Sequence, residues 1–145
     1  MMTEDRAAIK TLLAARDAAI SAGDAAAAVA ATAVGATSFE LQPPLSFTHD
    51  PAAAAADLKE WFATWNGGVT THMIAPEILI SGDLAVAYGL ATIAGDKKGE
   101  GPIYLWFRRT VVLERGADGW QITHQHSSVP MMMDGSGLAA IQLKP

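Results

Sequence analysis

Tyr104-Leu105-Trp106-Phe107-Arg108-Arg109-Thr110-Val111-Val112-Leu113, a break over 114–119, and then Trp120-Gln121-Ile122-Thr123-His124-Gln125-His126-Ser127-Ser128-Val129-Pro130 form the most legible part of the chain. The two runs are rich in β-branched and aromatic residues, and Gly116-Ala117-Asp118-Gly119 supplies turn chemistry between them. They read as two long antiparallel strands of one hairpin. Both carry polar groups at positions that a half-buried strand turns inward. An ordinary sandwich core has little use for such groups, whereas a sheet bent around a small-molecule pocket does.

Working upstream, the period of two holds back to Val69. Strands are expected near 69–80, 83–94, 101–114 and 120–129, separated by Ser81-Gly82-Asp83, by residues 95–99 and by the Gly-rich turn. Pro76 inside the first of them predicts a bulge or an edge. Before Val69 the period becomes helical. Ile9, Leu12, Leu13 and Ile20 mark a first helix, with Thr3 as a cap and Glu4 and Asp5 in its first turn. Asp24 caps a second, Ala-rich helix near 25–33, ended by Gly35. Thr37 to Gln42 alternates as a short strand and stops at Pro43-Pro44. Asp50-Pro51 starts a third helix, in which Leu58, Trp61, Phe62 and Trp65 fall at i, i+3, i+4 and i+7 as one aromatic stripe. The order is α+β: three helices packed on a curved antiparallel sheet, forming one domain over residues 1–130, with 131–145 as a flexible C-terminal tail.

Bulk properties narrow the function. The chain has 145 residues, half of them hydrophobic and 17% charged, with a formal net charge of −5. No basic cluster exists to meet a phosphate backbone, so nucleic acid is not an expected partner. With no cysteine there are no disulfides or thiolate metal sites. No apolar run approaches the ~20 residues that span a bilayer. Glu4, Asp5 and Arg6 stand where a secretory signal needs apolar residues. A cytoplasmic protein without membrane attachment is the expectation. Gly95-Asp96-Lys97-Lys98-Gly99 joins strands and does not open a helix, so no nucleotide cofactor is expected.

Taken together, Phe39-Glu40-Leu41-Gln42-Pro43-Pro44-Leu45, residues 61–67, residues 81–89, Trp106-x-Arg108-x-Thr110 and the final run from Asp118 to Pro130 resemble the SnoaL-like branch of the nuclear-transport-factor-2-like superfamily. The resemblance covers nearly the whole chain and rests on order and spacing together. It implies a cone, a curved sheet wrapped over helices with a pocket at its wide end, and a homodimer formed through the sheet. Family members include polyketide cyclases, ketosteroid isomerases, dehydratases and non-catalytic binding or assembly domains, so the fold does not select the function. The association domain of calcium/calmodulin-dependent kinases is a further relative. The three pocket arginines of that family fall on Leu90, Val111 and Ser127 here, so its mode of carboxylate binding does not carry over. Its facing would turn Tyr88, Leu90, Arg109, Val111, Gln125 and Ser127 toward the cavity. Trp106, Arg108, Thr110, Trp120, His124 and His126 would then lie on the convex face.

The candidate chemistry follows from these placements. Glu40 matches a frequent acidic position of the family, and in an apolar cavity its carboxyl would serve proton transfer; alternating with Phe39 and Leu41, it could equally face solvent. His49, in the loop before the third helix, is a second candidate base or a plain surface imidazole. Arg108 and Arg109 point to opposite faces, so one of them must meet a carboxylate or a ligand. Tyr88, Arg109, Gln125 and Ser127 would orient the polar end of a ligand, and Leu41, Trp61, Trp65 and Leu90 would wall its apolar body. His124 and His126 share a face, but no further ligand has metal spacing, and they read as imidazoles at a subunit contact. The expectation is a homodimeric small-molecule-binding protein without a bound metal. It is either a metal-free acid–base isomerase, cyclase or dehydratase, or a non-catalytic binding or dimerisation module.

Overall fold

The computed structural model describes residues 2–145. Three helices and seven strands follow one another as α1 (Met2–Ser21), α2 (Ala25–Val29), β1 (Thr32–Phe39), β2 (Phe47–Thr48), α3 (Pro51–Phe62), β3 (Trp65–Met73), β4 (Glu77–Ser81), β5 (Leu84–Lys97), β6 (Gly101–Gly116) and β7 (Gly119–Ser128). The strands make one curved, unclosed sheet in the order β2-β1-β7-β6-β5-β3, with β4 also paired to β5. All pairings are antiparallel except that of β1 with β7, which makes the sheet mixed. No helix among the described residues is long and apolar enough to cross a membrane.

The expected hairpin forms, with Thr110 opposite His126 and Val111 opposite Gln125. Its register shifts between Val112 and Leu113, where Val112 faces His124 but Leu113 faces Ile122. Thr123 is therefore an extra residue, a bulge that inverts the facing of β7. Below it, Trp120 and Ile122 are buried; above it, Gln125 and Ser127 are buried. Trp120 thus belongs to the core, not to the convex face on which simple alternation puts it beside His124 and His126.

Several boundaries differ from expectation for local reasons. α1 begins at Met2, so Thr3 lies within the helix. α2 ends at Val29 because the next residues join the sheet: Ile122 N–H donates to Ala31 O at 2.8 Å, and Thr32 pairs with Ile122. The run 69–80 breaks at Ala75, held at a φ of 38°, and Pro76. The two pieces then pair along one edge of β5, β4 at 84–88 and β3 farther along. α3 stops at Phe62, and Trp65 opens β3 opposite Lys97 instead of extending the helical stripe. Thr64 fixes this turn, its hydroxyl donating to Trp61 O at 2.6 Å and accepting from Lys97 Nζ at 2.6 Å.

The core lies between α1 and the inner face of the sheet. Ile9 and Leu13 meet Met73, Ile78, Phe107, Val111, Leu113, Trp120 and Ile122, with Ala85, Ala87 and Ala91 from β5. Small residues on β5 leave room for the large ones on β6. Full burial of Phe107, Ile9, Leu113, Ile122 and Val111 stabilises by about 1.5–3 kcal/mol each. Polar contacts fix α1 along its length. Asp5 accepts from Arg115 and, at 3.2 Å, from Trp120 Nε1. Arg6 donates to Ile78 O at 2.7 Å, while Asp17 accepts from Thr71 Oγ1 at 3.2 Å and from Met73 N–H at 3.1 Å. Residues 131–145 turn back on themselves: Met131 bridges Ala139, and Ala140 N–H donates to Pro130 O at 2.7 Å.

Candidate functional site

Strand register determines which candidate side chains can meet. Gly89, Arg109 and Ser127 lie abreast on β5, β6 and β7, as do Ala87, Val111 and Gln125. Both rows carry buried members and face inward. Beyond β7, Ser38 lies opposite Gln125, which aligns Ala36, Ser38 and Glu40 with the inner face. His49 exchanges backbone hydrogen bonds with Gly35 and Ala36 across the short β1–β2 pairing, so it belongs to this side as well. Glu40, Arg109, Gln125 and Ser127, far apart in sequence, thereby contribute to one polar cluster on the inner face.

Its bonds are few and directional. Gln125 Nε2 donates to Glu40 Oε1 at 3.0 Å, and Arg109 Nε donates to Ser127 Oγ at 3.0 Å. The Arg109 guanidinium also lies over the Phe107 ring, 4.9 Å from its centroid. Gln125 Oε1 and His49 Nε2 are enclosed and have no hydrogen-bond partner among the described residues. Burial lowers the pKa of His49, with Asp50 opposing, so its ring is held toward the neutral form. The pKa of Arg109 is lowered by burial, with Glu40 and Asp17 pulling the other way.

The residue that sequence inspection missed is Arg16. It sits on α1 only 8% exposed, and its Nε is enclosed without a partner. Burial, and then the charge of Arg109, push its pKa down to about 10, while Asp17 and Glu40 oppose the shift. The signal was present: Arg16 follows Ile9 by seven and Leu13 by three, so it shares the inward stripe of the helix.

The remaining candidates separate by position. Leu41 packs partly buried against the core. Trp65 is buried and meets Trp61 edge to face at 5.6 Å, with Lys97 Nζ 4.5 Å above its ring. Tyr88 and Leu90 are corrected: they pair with Thr110 and Arg108 and lie 44% and 40% exposed on the outer face, opposite to the Arg109 side chain. With Gly89 opposite Arg109, strand periodicity turns Tyr88 and Leu90 away from that row. With Arg108, Arg109, Thr110 and Gly89 they line a shallow recess of about 250 Å³. A larger open groove of about 610 Å³ runs between α1 and β3, lined among others by Lys10, Asp17 and His72, and none of the sequence candidates touches it. His124 and His126 flank Phe39 edge-on at 5.0 and 5.4 Å, with His124 Nδ1 2.6 Å from Thr37 O.

A helix-backed, curved, unclosed sheet with a polar cluster on its inner face defines a protein of the nuclear-transport-factor-2-like, cystatin-like class. The model of the SnoaL-like domain matches residues 9–132, and the chain belongs to that family. Among solved structures it is similar to an NTF2-like protein of unknown function from Pseudomonas putida KT2440, with a TM-score of 0.84 and 24% identity over 99% of this chain and 98% of that one. A protein from Streptomyces avermitilis described as a dehydratase of the NTF2-like family aligns with a TM-score of 0.75 and 14% identity, covering 91% of this chain and all of that one. The CaMKII hub of S. rosetta gives a TM-score of 0.71 at 20% identity, covering 83% of this chain and 93% of the hub. No curated protein sequence is significantly similar.

Proposed function

We propose that this SnoaL-like protein binds a small organic molecule against the inner face of its sheet and acts on it by acid–base chemistry beside a carbonyl. The observation that carries this reading is the Gln125–Glu40 pair. Gln125 Nε2 holds the carboxyl at 3.0 Å, while its enclosed Oε1 has no donor. An unmet buried acceptor costs about 1–3 kcal/mol, and a ligand hydroxyl or amide would remove that penalty. Glu40 would move the proton, with His49 as the alternative base, because an imidazole held neutral by burial can accept one. Arg109, tied to Ser127, would stabilise a developing oxyanion. Leu41, Trp61 and Trp65 would supply apolar wall. The dehydratase description of the S. avermitilis protein accords with this chemistry, as it does with isomerisation or cyclisation.

Native mass spectrometry of the purified protein, followed by thermal-shift screening of hydroxy-carbonyl compounds, tests the reading. A retained small molecule, or a stabilisation that Gln125→Ala abolishes without loss of fold, supports it. Stabilisation that survives Gln125→Ala counts against the inner face. For catalysis, Glu40→Gln should keep binding and lose turnover.

A second reading, assembly through the sheet, is favoured by the outer face. Tyr88, Leu90 and Tyr104, the last 61% exposed, lie there with Phe39, His124 and His126. Such a run of exposed apolar side chains suits a homodimer contact. Sedimentation should give a dimer that Leu90→Lys dissociates; a monomer at high concentration removes this reading.

A further inference from the structure

We propose that the guanidinium groups of Arg16 and Arg109 together hold the carboxylate of a small organic acid between α1 and the inner face of β6. The proposal rests on the ligand-binding reading of that face and names the class of ligand.

Arg16 presents the problem that such a ligand solves. It is more than nine-tenths buried, its Nε is enclosed without a partner, and no hydrogen bond or ion pair of its guanidinium is found among the described residues. A buried lysine can shed its proton; an arginine cannot, and even with its pKa pushed down to about 10 this one remains cationic near neutral pH. A largely buried guanidinium with an enclosed, unpaired N–H is unfavourable, and an anionic acceptor would relieve it.

The protein's own acids are engaged elsewhere. Asp17 accepts from Thr71 Oγ1 and Met73 N–H, and Glu40 accepts from Gln125. The ion pairs among the described residues join His72 to Asp17 and Arg115 to Asp5 and Asp83; none includes Arg16 or Arg109. The second cation increases the demand. Arg109 is close enough for its charge to act on Arg16, and its single hydrogen bond, from Nε to Ser127, leaves both of its Nη groups unbonded. Two like charges turned inward from α1 and β6, each with a planar fork of donors, would both be met by the two oxygens of one carboxylate.

The local charge also selects among anions. Asp17 and Glu40 already offset part of the positive field, so a monoanion suits the site better than a doubly charged phosphate. The floor beneath is Leu13, Phe107 and Val111, which favours an organic remainder over a bare inorganic ion. The unmet Gln125 Oε1 faces the same side and would take a donor from that remainder.

Titration calorimetry and thermal shift with butyrate, benzoate, their uncharged amides and inorganic phosphate test the assignment. The carboxylates should bind and raise Tm, with the matched amides weaker by at least tenfold. Arg16→Met and Arg109→Met should each lower carboxylate affinity at least tenfold. Arg16→Lys, which keeps the charge but loses the fork, should fall between Arg16→Met and wild type. Amides that bind as well as the acids overturn the anion assignment while leaving the ligand site standing. So does carboxylate binding that survives Arg16→Met, or a response to phosphate alone. If neither acids nor amides bind, both this inference and the ligand reading fall.

Discussion

The indole of Trp65 occupies the space that a side chain on Gly95 would need: a Cβ built there would lie 2.8 Å from Trp65 Cε3 and 3.0 Å from Gly68 O. The two residues sit across the β3–β5 ladder, where Gly95 pairs with Val69 and Trp65 with Lys97. The missing side chain on β5 is thus what allows the first residue after the α3 turn to be buried.

Gly95→Ala should therefore destabilise by about 1–3 kcal/mol through overpacking. A lowered urea midpoint at unchanged slope is the readout. Trp65→Phe in the same chain should recover part of the loss, a coupling that a double-mutant cycle would measure.

Asp5 ties α1 to the last hairpin, and its pKa lies below the ordinary 3.8, first because Arg115 donates a hydrogen bond to it. The folded state then binds its proton less readily than the unfolded state. The contribution to stability is complete above 3.8 and is lost as pH falls through the lower folded value. In urea titrations carried from neutral to strongly acidic pH, Asp5→Asn should begin less stable and lose less on acidification.

His49 acts in a higher window. Burial holds its folded pKa below 6.5, so on acidification the unfolded chain takes up the proton first. Its contribution is full above 6.5 and declines below that value. His49→Gln should flatten the stability profile through this range; an unchanged profile would mean that the ring is freely solvated.

Arg16→Met should make the ligand-free protein more stable by about 1–3 kcal/mol, because it removes a buried, unpartnered cation and leaves an apolar side chain of similar length. A rise in Tm accompanied by loss of carboxylate response would identify a residue kept for binding at the expense of stability. A fall in Tm would show that Arg16 is compensated within the fold.

Much of the architecture was legible because Val, Ile, Thr and aromatic residues alternate from Val69 to Ser128 and glycines separate the runs. Facing was not. Placing Tyr88 beside Arg109 requires a register, and the pairing of Tyr88 with Thr110 puts the two on opposite sides. The Thr123 bulge likewise has no turn residue to announce it, yet it sends Trp120 and Gln125 to the same side of β7. Trp65 satisfied a helical spacing from Leu58, but the ladder to Lys97 outweighed local periodicity. Of the site, Glu40, Arg109, Gln125 and Ser127 were identified as candidates from sequence. Arg16 was not among the candidates, although it lies on the stripe of Ile9 and Leu13.

The parallel pairing of β1 with β7 has a kinetic consequence. Every other ladder joins segments that follow closely in the chain, whereas the Glu40–Gln125 hydrogen bond closes a separation of 85 residues. Such a loop closes against a large entropy loss, so long-range pairing of this kind tends to come after the local meander. The carboxyl would reach its amide only once the rest of the sheet exists. The Glu40–Gln125 contact would then form after the hairpins and be lost before them on partial unfolding, ahead of any change in the spectroscopic signal that they dominate.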